Sequence, residues 1–169
     1  MDRRVFLQRG LVGGAILAAG ACTVHAWPVP DRYPPQGNLQ CLDPRTFVVL
    51  AAIAARTVQD PVADPVAIAH AVDRTLGLAA PEVAVEFVQL LNLFESGLAG
   101  LLLDGRLRPF TRLPPDQQDQ VLIAWRDSRF VLRRSGYTAL RKLTLAAHYA
   151  SPKTWEGVGY PGPPELVEG

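Results

Sequence analysis

The chain has 169 residues, enough for one domain plus a leader and a tail. Its apolar fraction of 49% is ordinary for a globular protein, and the formal charge of +1 gives no basic face of the kind nucleic acid requires. Two cysteines, Cys22 and Cys41, are too few for a disulfide framework and form no CxxC, while His25, His70 and His148 form no HxH or HExxH pair.

Residues 1–26 read as an export signal. Paired Arg3 and Arg4, followed by Phe6 and Leu7, have the pattern of a twin-arginine leader, and an apolar run from Leu11 to Ala21 follows. That run is far short of the roughly 20 residues a membrane span needs. Two cleavage readings stand side by side. Val24-His25-Ala26 fits a small-residue peptidase site, and Ala19-Gly20-Ala21-Cys22 resembles a lipobox that would place a lipid on Cys22. Removing the leader takes away three arginines and one aspartate and leaves the remainder near −1. The twin-arginine route carries proteins already folded, often with a cofactor inserted, yet no cofactor motif follows.

Residues 27–42 form a Pro-rich linker, expected to be extended and mobile. Asp43-Pro44 then gives an N-cap followed by proline at the first helical position. Residues 47–58 are apolar nearly all round, so this helix should be central and buried. Asp64-Pro65 repeats the start signal, and Ile68, Val72 and Leu76 form a stripe ending at Gly77. His70 lies off that stripe and reads as a surface residue.

Pro81 opens a longer run to Leu103, with Glu86, Gln89, Asn92 and Glu95 at three-residue spacing. Two glutamates in mid-membrane would cost about 2.5–3.5 kcal/mol each, which favours a core helix with one solvated stripe. Glu86 and Glu95 are also the one acid/base pair in sight. Nine residues of helix separate them by about 13 Å, too far for paired carboxylate chemistry. Gly97 and Gly100 let another backbone approach, or bend the helix.

Arg106, Arg108 and Arg112 surround Phe110 in a loop, after which Pro114-Pro115-Asp116 starts a helix with Val121, Leu122 and Trp125 inward. Residues 126–134 mix four arginines with Phe130, Val131 and Leu132, a composition that suits a protein interface or a solvated helix. The last helix is expected over residues 136–150, with Tyr137, Leu140, Thr144 and Ala147 on one face and Arg141 and Lys142 off it. His148 at its end reads as a capping or interface residue.

Residues 151–169 cannot continue the helix, because Pro152, Gly157, Gly159, Pro161, Gly162, Pro163 and Pro164 interrupt it. Trp155 and Tyr160 make this arm either a docking element for another surface or a tail folded back on its own helices. No Gly-rich phosphate loop and no GxSxG elbow is present. The fold class expected is all-α: an irregular bundle of about five helices over residues 43–150, with signal peptide, Pro-rich linker and extended C-terminal arm.

The leader RRVFL, the first-helix start LDPRTFVVLAAIA and the ending GYTALRKLTLAAHY-SPKTW-GYPGPP together resemble the family of gluconate 2-dehydrogenase subunit 3. The resemblance implies a helical, non-catalytic subunit without catalytic, metal or cofactor residues of its own. Its partner would be a large flavin-dependent dehydrogenase of the glucose-methanol-choline type, holding FAD and oxidising sugars, sugar acids or polyols. Electrons would pass to a cytochrome c subunit or another acceptor. The large subunit would lack a leader and reach the periplasm through the twin-arginine translocase on this chain's signal. By position, Arg3 and Arg4 would be export determinants, and Tyr149, Trp155, Gly159, Tyr160, Pro161 and Gly162 would form the contact with the partner. The rival readings are a free-standing periplasmic helical binding module or lipoprotein, and a small enzyme using Glu86, Glu95 or His148.

Overall fold

A computed structural model describes residues 31–96 and 108–163. The readings made for residues 1–26, including Arg3, Arg4, Phe6, Leu7 and Cys22, and for Gly97, Gly100 and Arg106, lie outside them. Five α-helices and no strand occur among the described residues: α1 (Pro44–Thr57), α2 (Pro65–Gly77), α3 (Pro81–Glu95), α4 (Pro115–Arg126) and α5 (Val131–Tyr149). None is long and apolar enough to cross a membrane.

Local chemistry sets the starts. Asp43 Oδ1 accepts from the amides of Arg45 and Thr46 at 2.8 and 3.2 Å, and Asp64 Oδ1 does the same for Val66 and Ala67 at 2.9 and 3.2 Å. Each such cap stabilises its helix by about 1 kcal/mol. Every helix but α5 has proline in its first turn, where no amide is needed.

The all-round apolar run makes α1 the axis of the bundle. Residues from Thr46 to Ala54 are all buried, and α1 touches each of the other four helices. Around it, Leu50 and Ile53 meet Val72, Leu76, Leu91 and Leu140 in one continuous core. At the far side Phe94 stacks on Trp125 at 4.0 Å and meets Phe110 edge-on at 5.4 Å. Gly136 lets α5 lie close here, since a Cβ would sit 2.8 Å from Leu90 Cδ1 and 3.2 Å from Trp125 Cζ3.

Several expectations are corrected. The segment before α1 is not a free linker from Gln36 onward but is bonded to α2. Gln36 N donates to His70 Nε2 at 3.0 Å, and the His70 ring packs against Phe47 at 4.6 Å. Asp73, almost fully buried, accepts from the amides of Gln40, Cys41 and Leu42 at 2.8, 3.0 and 2.9 Å. A buried carboxylate needs such donors, and the segment supplies three in a row. His70 is therefore a half-buried clamp rather than a surface residue. Gly77 does end α2, but without left-handed backbone; its missing side chain makes room for Gln40.

Glu95 leaves the solvated stripe on which Glu86 and Gln89 stay exposed. It is buried and accepts from Thr111 N at 3.0 Å and Thr111 Oγ1 at 2.5 Å, because the 3₁₀ turn Phe110–Arg112 folds over it. The last helix starts at Val131, five residues before the expected Gly136. Its extra turn is held by Arg133, which buries its stem with the guanidinium 5.4 Å from the Trp125 ring.

A candidate partner-binding surface

Beyond Ala150 the proline at 152 ends the α-helix, but the chain does not run straight. It coils through two 3₁₀ turns, Pro152–Thr154 and Glu156–Val158. Thr154 is buried, its hydroxyl donating to Ser151 O at 2.8 Å. Trp155 Nε1 reaches back to Tyr149 O at 3.0 Å and so satisfies a carbonyl in the last turn of α5.

Gly159 then adopts φ 68°, a left-handed conformation open mainly to glycine, and sends the chain back so that Tyr160 N donates to Trp155 O at 2.9 Å. The Tyr160 ring stands edge-on to Trp155 at 5.3 Å. Gly162, at φ 102°, lies under the same indole, where a Cβ would be 3.3 Å from Cζ3. Four of the six residues expected to meet a partner, Tyr149, Trp155, Tyr160 and Gly162, are thus gathered around the one indole, and Gly159 and Pro161 flank Tyr160 in the chain. The arm is a compact aromatic knob. Tyr149 remains 44% and Tyr160 46% exposed, with Val158 at 55%, so the knob presents apolar surface outward.

The knob stands on a polar tie that sequence reasoning missed. His148, read from the sequence as a capping or interface residue, is buried, and its Nε2 lies 2.9 Å from Asp60 Oδ2. Asp60 shapes the α1–α2 turn by accepting from Val62 N at 3.0 Å. That amide first, and His148 second, hold the Asp60 carboxyl below the usual carboxylate range. Thr57 and Thr144 add a second link from α1 to α5 at 3.1 Å.

Beside the knob a cleft of about 660 Å³ opens between the end of α1, α4 and α5, with Tyr149 on its wall. Arg56 spans it as a fork onto Asp119, Nε to Oδ1 at 2.7 Å and Nη2 to Oδ2. The Asp119 carboxylate pushes the Arg56 pKa further up. No cluster of three or more acidic, histidine or cysteine side chains with metal-binding geometry occurs among the described residues. Cys41 is a free, half-buried thiol.

The family described as gluconate 2-dehydrogenase subunit 3 matches residues 46–162. The chain belongs to that family. The match begins in the first turn of α1 and ends at the glycine beneath Trp155, so the helical core and the knob both lie within the family unit. The family is that of a subunit, which places the chain in a dehydrogenase assembly of more than one polypeptide. No curated protein and no solved structure matches the chain.

Proposed function

We propose that this chain is the non-catalytic small subunit of a flavin-dependent dehydrogenase acting on sugars, sugar acids or polyols, and that it binds, stabilises and escorts the large subunit to the periplasm. The family match over residues 46–162 is the observation that carries this reading. The knob supports it. The Tyr160 ring rests edge-on against Trp155 and the Tyr149 ring against His148, and outward aromatic anchors are what interfaces use. FAD and the chemistry belong to the large subunit in this reading, and a cytochrome c subunit or another acceptor takes the electrons. The leader, with Arg3 and Arg4, serves both chains.

Co-expression with a flavin-dependent dehydrogenase large subunit from the same genome tests the proposal. The two should purify together, and Arg3→Lys with Arg4→Lys should strand both in the cytoplasm. Trp155→Ala should weaken the complex by about tenfold or more while the thermal melt of the helices stays nearly in place. A flavoprotein that reaches the periplasm fully active without this chain would sink the escort role. A lone, stable monomer with an occupied cleft would favour a free-standing binding module instead.

A further inference from the structure

The charges of the cleft beside the knob do not cancel. Its two acids are engaged inside the fold: Asp119 by Arg56, and Asp60 by the Val62 amide and His148. Of its three arginines, Arg56 is held by Asp119, and Arg126 pairs at 2.8 Å with its exposed neighbour Asp127. Such an exposed pair is weak and easily exchanged for another. Arg141 is exposed and meets no carboxylate among the described residues. The same cleft wall also carries apolar and aromatic side chains. Ile123 is 48% exposed, Tyr137 is half-buried, and Tyr149 is shared with the knob.

We propose that this cleft receives an acidic segment of the large subunit in which carboxylates flank an apolar side chain. The carboxylates meet Arg141 and Arg126, and the apolar group lies on Ile123 between Tyr137 and Tyr149. The inference deepens the function proposed above and rests on it. A peptide fits better than a small anion for a geometric reason. Arg126 and Arg141 are exposed at the rim rather than converging in a buried pocket, so the site offers spread charge with an apolar middle. Arginines beside aromatic rings are also the residues enriched where proteins meet. The location agrees, because Tyr149 lines the cleft while its carbonyl holds Trp155, making knob and cleft one continuous surface.

The test uses the two-chain complex with the co-expressed flavoprotein. Arg141→Glu should weaken association about tenfold at low salt, with the difference shrinking as ionic strength rises. Lys142→Glu makes the same charge change on an exposed neighbour outside the cleft and should stay within about twofold. Equal effects of the two variants, or none from Arg141→Glu, overturn the inference. A photoreactive residue replacing Ile123 should cross-link to a flavoprotein peptide carrying aspartate or glutamate beside an apolar residue. A cross-link to a peptide without carboxylates, or to this chain's own residues 164–169, overturns it as well. Failure of the unaltered chain to co-purify with the flavoprotein would remove the proposed function itself. A normal complex that ignores Arg141→Glu would remove the cleft alone.

Discussion

His148 and Asp60, 88 residues apart in sequence, meet at 2.9 Å and join the last helix to the turn after the first. The Asp60 pKa is depressed in the fold, so its contribution to stability is fully present above the unfolded value of about 3.9 and is lost as pH falls through the folded one. Asp60→Asn should therefore lower the melting temperature at neutral pH. The gap between it and the unaltered chain should close progressively below about pH 4. Thermal melts from pH 7 to pH 3 check this, and a gap independent of pH would contradict it.

Asp73 gives a larger effect because it is buried and serves three amides at once. Asp73→Ala leaves the donors of Gln40, Cys41 and Leu42 without their acceptor, and should cost about 2–4 kcal/mol in urea unfolding. Amide exchange should speed first at those three positions. Equal exchange there, with unchanged stability, would show that the clamp is unimportant.

Gly136 separates size from helix propensity. Gly136→Ala adds a carbon 2.8 Å from the tip of Leu90, which can turn aside, and 3.2 Å from the Trp125 ring, which must give slightly; the gain of about 1 kcal/mol of helix propensity nearly offsets this. Gly136→Val adds two methyl groups to a Cβ already tight against the buried Trp125 ring, and should cost about 2 kcal/mol or more. Denaturant midpoints for the pair decide it, and equal midpoints would refute the close-approach account.

What was legible in the sequence was local. Asp43 and Asp64 cap within three residues of themselves, and the run 47–58 is apolar nearly all round, so both starts and the buried axis follow from short stretches. The aromatic arm was legible as composition, though its coiling was not: Trp155 settles on a carbonyl six residues back, which spacing does not announce. Residues whose partners are remote in sequence were the least legible. Glu95 reads as part of a solvated stripe, and the tie of His148 to Asp60 and of Asp73 to Gln40 has no local signature, until the elements that carry Thr111, Asp60 and Gln40 fold against them. Arg133 made the last helix seem to start late, because its burial depends on Trp125 in the preceding helix. A cleft such as the one around Arg141 has no signature in the chain, since three separate helices supply its walls.

Asp73 also decides how the domain bears a mechanical load. Tension arriving along the backbone ahead of Gln36 is handed to α2, at His70 and then at three successive amides, before any of it reaches Pro44. The central helix is thus shielded from being unwound from its first turn, and a tug on the front of the chain draws on the whole bundle at once.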